Sequence, residues 1–131
     1  MKTRKRNECV VLPLVLTAKW FRMIESGEKR EEYRNATPYW NTRLANWINR
    51  HVYEDKPAVV EFRLGYAADA PRMAFDLYGL GHPFGSGCTH PEWGEPRLPH
   101  WSIRLDERVE LVEGTDRLLA SRNAGNREVA K

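Results

Sequence analysis

The segment Gly27-Glu28-Lys29-Arg30-Glu31-Glu32-Tyr33-Arg34 places three carboxylates and three cations behind one glycine. Gly27 permits the positive φ that turns a chain sharply from helix into strand. Lys29, in that turn, offers a point cation for a phosphate or a developing oxyanion. In an extended segment Glu32 and Arg34 point to one face and Tyr33 to the other, because side chains alternate along a strand. A Lys29/Glu32/Arg34 cluster can read a base edge, carboxylate to an exocyclic amine and guanidinium to a carbonyl or phosphate. The same charges can instead form a surface ladder of ion pairs, worth about 0–1 kcal/mol each.

The elements around this segment are announced by periodicity. Residues 10–16 form an apolar, β-branched run whose Pro13 marks an edge strand or a bulge. Thr17 is placed to cap a short helix through Ser26, with Trp20, Phe21, Met23 and Ile24 on its apolar side. Gly27 ends that helix as a left-handed cap, and residues 29–34 leave it as a strand. Thr37 and Pro38 then open a second helix with Trp40, Leu44, Trp47 and Ile48 as its stripe. Residues 59–66 alternate, with Val60, Phe62, Leu64 and Tyr66 set against Glu61 and Arg63. Residues 72–80 alternate again, and 101–105 with 109–112 supply one long bent strand or two short ones. A Gly/Pro-rich loop lies between Gly81 and His100, and a short helix is expected after Gly114. The pattern predicts a small α+β domain with a curled or closed sheet and two early helices over its openings.

With its strand–helix context, the octapeptide fits G-x-K-x-x-E-x-R and resembles the ASCH domain family, a branch of the PUA-like β-barrel superfamily associated with RNA. Trp20-Phe21, Met23-Ile24 and Ser26-Gly27 before the motif, and Thr37-Pro38-Tyr39-Trp40 after it, extend the resemblance over residues 11–50. The resemblance implies a small PUA-like β-barrel with two early helices packed on it, spanning residues 10–113. A basic arm (1–9) would precede it and a polar tail (114–131) follow. It further implies a nucleic-acid or nucleotide-binding domain that recognises RNA or a modified base, with Lys29, Glu32, Arg34, Tyr39 and Arg43 on the ligand.

Some ASCH-like proteins are amidohydrolases acting on N4-acetylcytidine, with a motif reading G-x-K-x-x-T-x-R and a downstream glutamate. Here Glu32 stands where those enzymes have threonine, so their hydroxyl nucleophile is missing. The alternative reading is a hydrolase of modified nucleosides or RNA with Lys29 and Glu32 as its catalytic pair. Glu32 would serve as general base and Lys29 as electrostatic stabiliser. Glu61 and Asp76 are the candidates for the downstream acid. A third reading is a protein-interaction domain.

Aromatic residues near the motif can stack a splayed base. Trp40 belongs to the apolar stripe of the second helix, whereas Tyr39 beside it is more open to a pocket role, and Arg43 can lean toward the same mouth or lie along the stripe. His82, Cys88, His90 and His100 lack the paired spacing of structural zinc sites, so no metal or cofactor is expected.

Length and composition bound these readings. A chain of 131 residues is one ordinary domain that can bury a core without staples. Two cysteines, Cys9 and Cys88, make no disulfide framework, and no apolar run is long enough to span a bilayer. No apolar h-region or cleavage site follows the basic start, so a cytoplasmic location is expected. The formal charge is +3, yet Lys2, Arg4, Lys5 and Arg6 all sit in the first six residues. The basic pI near 9.0 therefore belongs to the arm, either as a solvated terminus or as a source of phosphate contacts.

Overall fold

A computed structural model describes residues 1–81 and 99–114. Most of the expected loop between Gly81 and His100, including His82, Cys88 and His90, lies outside the described residues, as does the helix expected after Gly114. The described elements are β1 (Lys2–Lys5), a 3₁₀ turn (Arg6–Glu8), β2 (Val10–Leu16), α1 (Ala18–Glu25), β3 (Glu31–Asn35), α2 (Pro38–Glu54), β4 (Ala58–Leu64), β5 (Arg72–Gly81) and β6 (His100–Val112). They form an α+β fold built on one six-stranded sheet.

Strict alternation makes β2 a one-sided strand: Val10, Leu12, Leu14 and Leu16 are buried while Pro13 is exposed. Among the described residues β2 pairs only with β4, in parallel, so Pro13 sits on an edge strand where its missing N–H breaks no ladder. A parallel pair needs a long crossover, and α1, β3 and α2 together supply it. Thr37 accepts a hydrogen bond from the Trp40 amide and caps α2, with Pro38 at the first helical position. Leu44 and Trp47 are its buried residues, and the Trp47 indole N–H donates to the Val10 carbonyl at 2.9 Å, fixing the helix to the start of β2.

β4, β5 and β6 run antiparallel through the middle of the sheet. Their inward residues Val60, Phe62, Met73, Phe75, Ile103 and Leu105 join β2, α1 and α2 in the main core. A smaller cluster of Cys9, Val59, Ala74 and Val109 occupies the opposite face, where burial pushes the Cys9 thiol pKa up. β6 is one long strand, and register shifts against β5 between Phe75 and Gly79 let it bend. Its first residues pair with β3 and its last with β1.

Four expectations are corrected. The sheet is not a closed barrel: its path is β1-β6-β5-β4-β2, with β3 on β6 and no ladder between β2 and β3. The physical reason is visible at the gap, where the Arg34 guanidinium instead of a strand amide meets the Val15 carbonyl, at 3.5 Å. The basic N-terminus is not a solvated arm, because residues 2–5 pair in parallel with Val109 to Val112. β3 starts at Glu31 rather than at residue 29. Tyr66 does not continue the inner face of β4, since the strand ends at Leu64 and Gly65, at φ 82°, turns the chain outward.

The N-terminal cations have carboxylate partners on the second face of the sheet. Arg4 grips Asp76 through Nε and Nη2 at 3.0 and 2.9 Å, and Arg6 reaches Glu61 at 2.7 Å. Those hydrogen bonds raise the pKa of both guanidinium groups. Truncating Arg4 leaves the mostly buried Asp76 with only the longer Lys2 contact among the described residues. Arg4→Ala is therefore expected to cost about 1–2 kcal/mol in urea unfolding, whereas Lys5→Ala stays within about 0.5 kcal/mol.

Candidate functional site

The end of α1 is what delivers Lys29. Ser26 closes the helix in right-handed geometry, and Gly27, at φ 86°, sends its N–H back to the Ile24 carbonyl at 3.1 Å. The Lys29 amide donates to the Met23 carbonyl at 2.9 Å, so the chain doubles back beneath the helix before β3 begins. The Leu105 amide then donates to the Arg30 carbonyl, drawing the chain onto β6. In that ladder Glu32 stands opposite Ile103, which is fully buried, so the carboxylate enters on the core face of the sheet.

Such a group requires charge compensation, and two cations provide it. Lys29 Nζ lies 2.9 Å from Glu32 Oε1, and Arg34 Nη1 donates to Glu32 Oε2. Lys29 is 3% exposed and Glu32 4%, so this half of the motif is not a surface ladder. The Lys29 ammonium also sits 4.4 Å from the centre of the Trp20 ring and 5.4 Å from that of Tyr33. The other half of the segment faces elsewhere: Glu31 accepts from the Tyr33 and Ser102 hydroxyls at 3.1 and 2.7 Å. Tyr33 also meets His100 edge to face.

The triad lies in the seam between β2 and β3, whose facing edges carry no ladder among the described residues. It lines a cleft of about 330 Å³ together with Val15, Leu16, Thr17, Trp20 and Tyr33. Thr17 occupies the N-cap position of α1 without making a side-chain capping bond. A ligand here meets the Lys29 and Arg34 donors, the Glu32 acceptor and an indole wall. Lys29 carries three N–H donors, of which Glu32 takes one.

The five expected ligand residues divide. Lys29, Glu32 and Arg34 converge in the seam cleft, whereas Tyr39 and Arg43 line a neighbouring one that shares Val15 and Arg34 with it. Arg43 donates to the Tyr39 hydroxyl at 3.2 Å and to the Pro13 carbonyl at 2.7 Å. Trp40 packs against the core and also carries the Arg34 and Arg43 guanidinium groups, each 5.1 Å from a ring centre. Glu61 and Asp76 are not in the seam: Arg6 and Arg4 hold them against the N-terminal segment, so neither supplies a second acid there. Among the described residues, no group of three or more His, Cys, Asp or Glu side chains is placed to hold a metal ion. No described helix is long and apolar enough to cross a membrane.

Sequence reasoning missed Thr17 and Trp20 as walls of the seam, because a capping threonine and an amphipathic-face tryptophan already had structural explanations. It also missed Arg63 and Tyr66 in the neighbouring cleft, which a strand pattern alone assigns to opposite faces. No family model, curated protein or solved structure matches the chain.

The buried pair makes a distinctive stability pattern. Glu32→Gln leaves the Lys29 ammonium buried without its counter-charge and should cost about 3–5 kcal/mol. The double variant Lys29→Met/Glu32→Leu removes both charges, leaving Arg34 to turn toward solvent, and should unfold within about 1–2 kcal/mol of wild type. Urea denaturation of the single and double variants measures the difference.

Proposed function

We propose that the chain is an open, PUA-like α+β domain that binds nucleic acid or a nucleotide, admitting a base of RNA or a modified base to the seam. The observation that carries this reading is the triad of buried Lys29 and Glu32 with half-buried Arg34, opening onto the 330 Å³ cleft. Fixed donors flanking a fixed acceptor complement the edge of a nucleobase, whose carbonyl oxygens accept and whose exocyclic amine donates. The cleft is at the small end of ligand pockets, which run about 300–1,000 Å³. A cytoplasmic pool of RNA or nucleotides is the partner this reading assigns.

Binding is favoured over hydrolysis by the state of Glu32. A general base needs an oxygen directed at a water or a substrate proton. Here Oε1 receives Lys29 and Oε2 receives Arg34, and no other carboxylate lines the cleft among the described residues. The carboxylate is arranged to hold two cations and to accept one hydrogen bond from a ligand. The alternative is a hydrolase of N4-acylcytidine or RNA, in which Glu32 would take a proton from water while holding both cations, with no second carboxylate in the cleft among the described residues to return it.

Calorimetric titration with cytidine, uridine, N4-acetylcytidine and a short single-stranded RNA tests both, with each mixture checked for products by mass spectrometry. The expected result is saturable binding by wild type, a loss of tenfold or more in Lys29→Met/Glu32→Leu, and unchanged ligands. Absence of binding to every ligand contradicts the proposal. Product formed by wild type, and abolished in Glu32→Gln while binding survives, replaces the binder with the hydrolase.

A further inference from the structure

The second cleft, of about 450 Å³, is built from different chemistry. Its walls include Arg34, Tyr39, Trp40, Arg43, Arg63 and Tyr66, and no Asp or Glu among the described residues. It lies over the outer face of β2, where Val15 stands opposite Arg63 in the ladder, and meets the seam at Val15 and Arg34.

Three observations show positive charge held open there. Arg43 donates to the Pro13 carbonyl and the Tyr39 hydroxyl, and Arg63 to the Tyr66 and Ala67 carbonyls, so neither has a carboxylate partner among the described residues. The Nε atoms of Arg34 and Arg63 are buried with no hydrogen-bond partner among the described residues, so no carboxylate there takes up these edges of the two guanidinium groups. Arg34 and Arg43 are both set over the Trp40 ring, which fixes their planar forks before any ligand arrives. Beside these cations stand two exposed rings: Tyr39 is 62% exposed and Tyr66 84%. Tyr66 is projected by the turn at Gly65, whose amide is tied to the Leu16 carbonyl at 3.2 Å.

Guanidinium groups interleaved with exposed aromatic rings match a single-stranded polynucleotide, whose phosphates need cations and whose unstacked bases need flat apolar faces. We infer that the seam's ligand is carried on a single strand, and that this second cleft is the track for the adjoining phosphodiester and base. The inference rests on the proposed binding of a base in the seam and extends it from a pocket to a path. A phosphate beside the seam base meets Arg34 and Arg43, and the strand crosses the β2 edge toward Arg63 and Tyr66. Neutral nucleosides reach only the seam, so they are weak ligands compared with an oligonucleotide.

The test is fluorescence anisotropy of the full chain with a labelled single-stranded RNA of about eight nucleotides, within the site sizes such grooves cover. Calorimetry with the free nucleosides runs alongside, on wild type, Lys29→Met/Glu32→Leu, Arg63→Gln and Tyr66→Ala. Tyr66 is so exposed that its truncation leaves the fold unaffected. Arg63→Gln should weaken the RNA about five- to tenfold and reduce the salt slope by about 0.7. Tyr66→Ala should weaken it about fivefold. Nucleoside affinity should change less than twofold in both. Wild-type RNA affinity in Arg63→Gln and Tyr66→Ala overturns the track while leaving the seam pocket standing. RNA binding that depends on Arg63 and Tyr66 but survives Lys29→Met/Glu32→Leu supports the track and overturns the seam pocket. An acidic peptide that binds in an Arg63-dependent way where RNA does not overturns the polynucleotide as the occupant.

Discussion

A carboxylate that enters the core face of a sheet must be matched by positive charge, and Glu32 is matched from both sides. Lys29 reaches it from the turn below α1, and Arg34 reaches it from two residues further along β3. This triad occupies the gap where a closed sheet would have paired β2 with β3. Arg34 spans the gap by donating also to the Val15 carbonyl, so the two edges are joined by side chains instead of a backbone ladder. A ladder would have sealed the seam. A side-chain hydrogen bond to one backbone carbonyl bridges it and leaves an opening lined with fixed donors and an acceptor.

The rest of the fold serves that arrangement. The turn at Gly27 places Lys29, and pairing with β6 sets the inward parity of Glu32 and Arg34. Trp47 ties α2 to the first residue of β2, which holds Trp40 and Arg43 beside the seam. On the other face of the sheet, Arg4 and Arg6 neutralise Asp76 and Glu61. Among the described residues the cations therefore divide into those held by internal carboxylates and those, such as Arg43 and Arg63, that have only carbonyl or hydroxyl partners. A surplus of basic residues in composition does not reveal that division. The second set has its whole charge left for an external anion, and Arg34, paired with Glu32 but lining both clefts, stands between the two sets.

Much of the local structure was legible because it depends on neighbours in the chain. Gly27 after an amphipathic stretch marked the turn, Thr37-Pro38 marked the start of α2, and the two-residue step from Glu32 to Arg34 put them on one face. Pro13 marked β2 as an edge or a bulged strand, and the first of these is what forms. What stayed hidden depends on distant pairing. The run Lys2–Lys5 has no apolar alternation, so nothing local shows that it docks along β6. The polar faces of β4 and β5 hold Glu61 and Asp76, and only the docked N-terminal segment explains why these acids are not in the seam. Closure of the sheet was likewise not readable, because it turns on whether two edges far apart in sequence meet amide to carbonyl. Arg63 joins the same neighbourhood as Arg34 through the β2–β4 register, which no motif encodes.

Amide NMR of the labelled protein, titrated with a short single-stranded RNA, shows whether the ligand sits in the open seam. Saturable shifts are expected at Val15, Thr17, the Trp20 indole, Lys29, Glu32 and Arg34, with little change at β1 and the last residues of β6. Shifts confined to the β1 face, or spectra that do not change with added RNA, would contradict that placement.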